Sequence, residues 1–454
     1  MQNRAQWQSR LGFVLAATGS AVGLGNIWKY PYITGMNGGG LFVVVYLLCV
    51  AGVGIPVLAA EVLLGRATAQ SPVGAFRKLA GRSSPWVLLG GLGVLTAGMI
   101  LSYYGVVAGW CLDYILLSID GRLLKTSPEN VPSLFTELYT NGARNVVWLT
   151  VFSAATIWVI LGGVRRGVER ASRILMPMLF VMLALLLVHS FTLPGFRQAL
   201  DFLFTPRPEN LSPSGVLEAL GHCFFSLSVA MGAMLTYGSY LSEKESIPFT
   251  TMTVGTLDTV VSLVACLVVF PIIFSFGMEP TAGPGLVFKS IPRALVQLPL
   301  GALWSVLFFA LLFLAAWTSS ISLLEVLVAY GIDEWKMSRK TATLLFGGLV
   351  YLLGLPSALS GGDGFFGKGL QEATGRTWFD WFDHVASNWF LPLGGLGISV
   401  FVAWRLEDGL RRAAFAAGTP EAWQARLYAG WLMLLRYLAP VAIVAIFLHV
   451  IGVI

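Results

Sequence analysis

The chain has 454 residues, of which 56% are hydrophobic and only 11% are charged. Soluble domains carry roughly 25% charged residues, so this composition excludes a soluble globular protein. The mean hydropathy of +0.76 predicts instead a helical protein that crosses a membrane several times. The net charge of +6 does not point to nucleic acid, because the lysines and arginines lie mostly in loops between apolar segments.

Eleven apolar segments are candidates for membrane spans, since about 20 apolar residues cover the hydrocarbon core of a bilayer. They lie near residues 11–34, 41–64, 87–118, 146–162, 171–192, 214–241, 249–276, 300–330, 342–358, 381–404 and 428–453. Loops on the side of the N-terminus hold about twice as many lysines and arginines as loops on the opposite side. The positive-inside rule therefore predicts a multi-pass protein of the plasma or inner membrane, with a cytoplasmic N-terminus and an outside C-terminus.

The first apolar segment is interrupted near its centre, where it reads GSAVGLGN from residue 19. Glycines at 19, 23 and 25 weaken a helix and free backbone carbonyls. Within lipid, free carbonyls are tolerated only where they line a cavity or bind a ligand. The segment therefore predicts an ion or substrate site near the bilayer midplane, with a glycine-rich packing face as the alternative.

The sixth segment is interrupted in a similar way. It contains FFSLSVAMGAMLTYGSY at 224–240, in which Ser226, Ser228, Ala230 and Gly232 form a small polar stretch. Matching interruptions in the two halves of a chain predict a repeat transporter with its site at the repeat interface. Two independent small-residue packing motifs are the less favoured alternative.

Polar side chains inside membrane spans are costly and often functional. Here they are Asn26, Glu61, Tyr104, His222, Ser226, Asp258, Thr318, Ser319 and Asp383. The oxygens of five of them suit a small hard cation such as sodium, together with carbonyls freed around Ala21 and Val22; the five are Asn26, Ser226, Asp258, Thr318 and Ser319. No Cys/His cluster suggests a transition metal. These residues could instead have a structural role. The hydroxyls of Thr318 and Ser319 would then bond the carbonyl one turn back along their helix, and His222 would be a hydrogen-bonded core histidine. No nucleophile–base pair or phosphate loop is evident, so an enzyme is disfavoured.

The residues at 19–40, 224–240 and 317–322, the last of which read WTSSIS, closely resemble the neurotransmitter:sodium symporter family. The resemblance extends over essentially the whole chain, and the eleven helices are typical of the prokaryotic amino-acid transporter branch.

The resemblance implies an all-α membrane fold of two inverted five-helix repeats, with broken first and sixth helices and one extra helix. Residues 1–192 would form the first repeat, and 193–213 an extracellular connection. Residues 214–404 would form the second repeat, and 405–454 a cytoplasmic loop and the eleventh helix.

Two sodium sites are implied by the same resemblance. The first would use the substrate carboxylate together with Ala21, Asn26, Ser226 and Asp258. The second would use carbonyl and hydroxyl oxygens of Gly19, Val22, Ala315, Thr318 and Ser319.

The resemblance also implies a substrate site and two gates. The amino acid would lie against Ala21, Gly25, Ile100, Tyr104, Phe225, Ser226, Ser228, Met231, Ser319 and Leu323. The outer gate would pair Lys29 with Asp383, above a lid of Tyr104 and Phe225. The cytoplasmic gate would pair Arg4 with Asp333, beside Trp7 and Tyr240.

Several residues depart from the family pattern. Asp258 stands where many members have Asn, Lys29 replaces the more common Arg, and His222 replaces Gln. Ala230 replaces a Gly in the interrupted sixth helix, which should shrink the pocket. Gly167 and Pro177 follow the family pattern for a fifth helix that unwinds to release sodium.

The function predicted is sodium-coupled symport of neutral, mainly hydrophobic L-amino acids by alternating access. The partners are the amino acid and the lipid bilayer, without nucleic acid, and the sequence indicates no oligomeric state. The carboxylate of Asp258 should make transport chloride-independent and, once sodium has left, could carry a proton outward. Proton-coupled transport and a non-transporting amino-acid sensor are the alternatives.

Overall fold

The computed structural model describes residues 6–279 and 285–450, and this part of the chain contains helices and turns without any β-strand. The predicted all-α membrane fold is confirmed. Within the described residues, nine helices are long and apolar enough to cross a membrane, and one bent pair of helices reaches that length together.

Within the described residues, the first half of the chain forms ten α-helices. They are α1 (Arg10–Ala21), α2 (Gly25–Met36), α3 (Gly40–Thr68), α4 (Pro72–Ala80), α5 (Val87–Ile119), α6 (Arg122–Lys125), α7 (Val131–Thr140), α8 (Gly142–Leu161), α9 (Val164–Ser190) and α10 (Phe196–Phe204). The short helices α4, α6, α7 and α10 lie in the connections between the long ones.

The second half forms ten more. They are α11 (Pro213–Ser226), α12 (Ala233–Gly238), α13 (Ile247–Phe274), α14 (Ile291–Leu295), α15 (Gly301–Trp335), α16 (Arg339–Ala358), α17 (Leu370–Thr374), α18 (Trp378–Arg405), α19 (Asp408–Ala416) and α20 (Glu421–His449). Helices α11 and α12 are each too short to span a bilayer, so the count of eleven spans, which treats them as one, stays a prediction.

The first helix breaks where the glycines predicted it would. Helix α1 ends at Ala21, Val22 is extended with ψ 99°, and the axis bends by 48° into α2. A side chain on Gly23 would overlap the hydroxyls of Tyr104 and Ser319. Glycine at this position therefore allows these hydroxyls, from α5 and α15, to lie directly against the break in the first helix.

The second break, between α11 and α12, adopts left-handed backbone angles at alternate residues. The φ values are 52° at Ser228, 66° at Ala230 and 74° at Gly232. For a residue with a side chain this conformation costs about 1–2 kcal/mol. The fully buried carboxylate of Glu61 compensates, because it accepts the N–H groups of Ala230 and Leu235.

The two longest helices, α5 and α15, pack against each other and form the centre of the bundle. Helix α15 also contacts α1, while α12 packs on α3. The contact between α3 and α12 depends on glycine, since a side chain at Gly65 would overlap the carbonyl oxygen of Leu235. This close approach brings Glu61 of α3 within reach of the second break.

We expect Gly65→Ala to destabilise the protein by about 1–3 kcal/mol, because the added methyl group forces the backbones of α3 and α12 apart. Thermal unfolding of the solubilised protein measures the change. Gly91→Ala is the matched control, since nothing lies within 4 Å of the added methyl group on α5. The control should be neutral or stabilising, and an equal loss in both variants would contradict the packing argument.

Candidate functional site

Three segments meet at the carbonyl group of Ser20, near the end of α1. The hydroxyl of Ser228, in the second break, donates to this oxygen at 2.7 Å, and the hydroxyl of Ser319 on α15 donates at 3.0 Å. Three residues past the end of α1, the N–H of Leu24 donates to the hydroxyl of Tyr104 on α5 at 2.7 Å. Between Ser20 and Leu24, the first break is therefore joined to the second break, to α5 and to α15.

Three of the side chains predicted to form the first sodium site form one buried cluster. The Asn26 amide nitrogen lies 2.7 Å from Asp258 Oδ1, 3.1 Å from Ser226 Oγ and 2.8 Å from Ser262 Oγ. Ser226 also donates to Asp258 Oδ2 at 2.8 Å. All four side chains are almost completely buried. The oxygens of Asp258, Ser226 and Ser262 surround the amide nitrogen of Asn26, while Asn26 Oδ1 accepts the N–H of Gly23 at 2.9 Å. Hydroxyl and carboxylate oxygens are ligand types that suit a small hard cation such as sodium.

The residues predicted for the second sodium site also lie together, between α1 and α15. Ser319 Oγ is 3.4 Å from the Gly19 carbonyl oxygen, and Thr318 Oγ1 is 3.1 Å from the carbonyl oxygen of Ala315. Thr318 also donates to Leu314 at 3.1 Å, which is the turn-back bond expected of a helical hydroxyl. Val22 is extended, so its carbonyl is turned out of the helix that ends beside these residues.

Nine of the ten predicted substrate residues line one small cavity. They are Ala21, Gly25, Ile100, Tyr104, Phe225, Ser228, Met231, Ser319 and Leu323, joined by Ser20 and Gly23. Ser226 belongs to the oxygen cluster rather than to this wall. The lining of the cavity combines hydroxyls and backbone groups with the apolar side chains of Ile100, Phe225, Met231 and Leu323.

Ala230 does not line the cavity. A side chain built on Gly394 of α18 would meet the methyl group of Ala230 at 3.0 Å, so this methyl group lies against α18. The expectation that Ala230 reduces the pocket volume therefore has no support in the geometry. The reason is the left-handed backbone at this residue, which directs its methyl group away from the cavity.

A larger cavity lies beyond the small one, and Tyr104 and Phe225 line both. Their ring centroids are 6.5 Å apart. Lys29 and Asp383 line the larger cavity but form no ion pair with each other. Lys29 Nζ lies 5.1 Å from the centroid of the Phe225 ring, and Asp383 accepts the hydroxyls of Tyr103 and Ser387.

The opposite end of the bundle is closed by Trp7. Its indole N–H donates to the Tyr237 carbonyl at 3.0 Å, and its backbone N–H donates to the Tyr240 carbonyl at 3.1 Å. The hydroxyl of Tyr240 donates to the buried carboxylate of Glu325 at 2.8 Å, and Arg339 binds that carboxylate through two nitrogens.

The N-terminal segment is also held to α9. The N–H of Gln8 donates to Glu169 Oε2 at 3.1 Å, and Gly12 leaves no room for a side chain against the same carboxylate. Asp333, predicted to pair with Arg4, accepts the N–H of Ser71 at 2.5 Å. Arg4 itself lies outside the described residues.

Sequence reasoning did not assign a role to Glu61, and it missed the buried pair of Glu325 and Arg339. Both glutamates lie within apolar helices, where burying a carboxylate is costly. Their positions in the sequence therefore indicated that each needs a buried partner. Their partners come from distant parts of the chain, so the sequence does not indicate what each one holds.

Comparison with known proteins adds independent information. Residues 4–131 and 127–453 match the model of the Sodium:neurotransmitter symporter family. An uncharacterized sodium-dependent transporter of Bacillus subtilis is 37% identical over 454 residues, which is 100% of this chain and 99% of that protein. A sodium- and chloride-dependent taurine transporter of Canis lupus familiaris is 27% identical over 79% of this chain and 66% of its own length.

Among solved structures, the crystal structure of MhsT in complex with L-phenylalanine matches with a TM-score of 0.89 and 42% sequence identity. The match covers 98% of this chain and 99% of MhsT. The likeness therefore extends over the whole bundle, including both helix breaks.

Two broken helices that face each other around a small cavity define a secondary transporter. The chain belongs to the sodium:neurotransmitter symporter family, in its prokaryotic branch. It is a multi-pass membrane protein and a sodium-coupled transporter of a small molecule, and it is not an enzyme.

Lys29→Gln and Asp383→Asn should each slow transport severalfold while changing thermal stability little. The two charges face the same cavity without forming an ion pair, and the attraction between them should strengthen when the cavity narrows. The maximal uptake rate in proteoliposomes and the unfolding temperature measure the two effects.

Lys368→Gln is the matched control for these variants, because Lys368 forms an exposed ion pair with Asp363 away from the cavity. An exposed pair of this kind contributes little. Wild-type rates in both gate variants would show that Lys29 and Asp383 are merely solvated.

Proposed function

We propose that the protein carries neutral, mainly hydrophobic L-amino acids across the membrane together with sodium. The observation that carries the proposal is the small cavity, whose lining combines apolar side chains with hydroxyls and backbone groups of the interrupted first helix. The oxygen cluster of Asn26, Ser226 and Asp258 lies beside it.

The apolar residues that line the cavity support the choice of a substrate with an apolar side chain. Ile100, Phe225, Met231 and Leu323 line it, and no charged side chain of the described residues does. A charged substrate side chain would be buried there without a partner, which is costly. The similar transporter MhsT was crystallised in complex with L-phenylalanine, which agrees with an apolar substrate.

The polar groups of the lining account for the amino and carboxylate groups. Carbonyl oxygens released at the first break, such as that of Ala21, would accept the substrate ammonium. The hydroxyl of Tyr104 and the first sodium ion would bind the carboxylate. Substrate and sodium would then stabilise each other's binding, which is the thermodynamic basis of symport.

The second sodium ion would bind between α1 and α15, at Gly19, Val22, Ala315, Thr318 and Ser319. Bound there, it would link the broken first helix to the central helix α15. Two ions per cycle are the stoichiometry that we propose.

Alternating access would arise from two inverted repeats, at 1–192 and 214–404, moving against each other. The closed end, at Trp7 and Tyr240, would face the cytoplasm and the larger cavity the outside. Helix α9 would open on the cytoplasmic side, since it begins with a π-helical stretch at Val164–Glu169 and contains Pro177. Both features weaken regular helical bonding.

Asp258 would make transport independent of chloride. A chloride ion about 4 Å from this carboxylate would be repelled by about 4 kcal/mol at an effective dielectric constant of about 20. The carboxylate is part of the chain, so it takes the place of the anion. Once sodium leaves, a proton on Asp258 would balance the charge during the return step.

Uptake of labelled leucine or phenylalanine into proteoliposomes tests the proposal. We expect accumulation against a concentration gradient with sodium outside, none when potassium replaces sodium, and no loss when gluconate replaces chloride. Asp258→Asn should impair uptake because the site loses its negative charge, and chloride should partly restore it.

The same assay separates the alternatives. Full uptake driven by a pH gradient in potassium would favour proton coupling. Binding of the amino acid without accumulation under any gradient would favour a sensor.

Met231→Ala should raise the affinity for tryptophan relative to alanine, because it removes a side chain from the cavity wall. Inhibition of leucine uptake by each amino acid measures the ratio. Ala230→Gly is the matched control, since its methyl group lies against α18. It should leave the ratio unchanged, and a larger effect in Ala230→Gly than in Met231→Ala would contradict this placement.

A further inference from the structure

The exposed face of α9 carries one line of side chains at a spacing of three or four residues. It begins with Arg166 and Arg170, which are both exposed. It continues, with each residue between 48% and 62% exposed, through Ile174, Met178, Val181, Leu185 and Val188. Residues three and four apart share a helix face, so this line has a cationic end and an apolar remainder.

The two arginines at the cationic end differ from their neighbours. Arg165 donates to the Gln6 carbonyl at 2.9 Å, and Arg173 binds Glu169 at 2.6 Å. Within the described residues, Arg166 and Arg170 pair with no carboxylate. Like charges one turn apart repel each other, and a cation opposes the helix dipole near an N-terminus. The pair is therefore unfavourable for α9 unless an anion lies against it.

The distance along the helix matches a phospholipid. From Arg170 to Val181 the helix rises by about 16 Å at 1.5 Å per residue. One leaflet of the hydrocarbon core is about 15 Å thick, half of the roughly 30 Å of a bilayer. An anionic headgroup at the arginines would thus place its acyl chain along Ile174, Met178 and Val181.

A second helix offers a comparison within the same molecule. Helix α20 also presents a lipid-facing line, through Met433, Tyr437 and Val441. Only one arginine, Arg426, precedes that line on the same face. A generic lipid-facing helix therefore has the apolar line without the adjacent pair of arginines.

We propose that Arg166 and Arg170 bind the phosphate of an anionic glycerophospholipid whose acyl chain lies along α9. Arginine forms paired hydrogen bonds with phosphate, and clusters of basic residues at a membrane surface attract anionic lipid. The bound lipid cancels the repulsion between the arginines and stabilises the first turns of α9. The site needs the protein to be inserted in a membrane, but it does not depend on which substrate is carried.

Native mass spectrometry of the purified full-length protein tests the site with phosphatidylglycerol and phosphatidylcholine as probes. We expect wild-type protein to retain phosphatidylglycerol in preference. Arg166→Gln/Arg170→Gln should weaken that binding about tenfold, and Arg166→Lys/Arg170→Lys should keep part of it. Hydrogen exchange in residues 164–173 should slow with phosphatidylglycerol in wild-type protein only.

The matched control is Arg405→Gln/Arg426→Gln, which removes the same charge from exposed positions on α18 and α20. Equal loss of lipid in this control would show attraction by overall charge and overturn the proposal. Undiminished binding in Arg166→Gln/Arg170→Gln would overturn it as well. Displacement of the lipid by millimolar inorganic phosphate would assign the arginines to a free anion instead. None of these measurements requires transport, so failure of the lipid site can be distinguished from failure of the proposed function in the uptake assay.

Discussion

The site depends on how the backbone groups released at the two helix breaks are satisfied, because lipid offers them no water. Glu61 accepts two N–H groups at the second break, and Tyr104 accepts one at the first. Hydroxyls of Ser228 and Ser319 donate to a carbonyl at the end of α1. These bonds replace the regular helical ladder, so the interruptions are stable features of the fold.

The same constraint explains why binding groups converge at one place. Apart from Glu61 on α3, the residues that satisfy one break come from the other break, from α5 or from α15, which holds these segments together at the site. Asn26 on α2 and Asp258 on α13 lie close to this point, where these two helices pack together and the two side chains are hydrogen-bonded to each other. The oxygens proposed to bind ligands therefore lie at the helix breaks, where the freed backbone groups also need hydrogen-bond partners.

The sequence predicted both breaks because glycines and serines clustered in the middle of an apolar segment weaken the helix there. It also placed Asn26, Ser226 and Asp258 together through their resemblance to a family motif. It could not predict that Ala230 directs its methyl group to α18, since that depends on a left-handed backbone angle. Nor could it predict the pair of Glu325 and Arg339, because a buried carboxylate does not reveal its partner.

The contact between Gly12 and Glu169 affects how the end of the bundle that Trp7 closes would open. The N-terminal segment and α9 share one carboxylate, and the absence of a side chain at Gly12 brings them into direct contact. Neither can move far without disrupting the other, so their separation is cooperative. A cooperative step leaves few partly opened molecules at any moment, and partly opened molecules are those through which an ion gradient would dissipate.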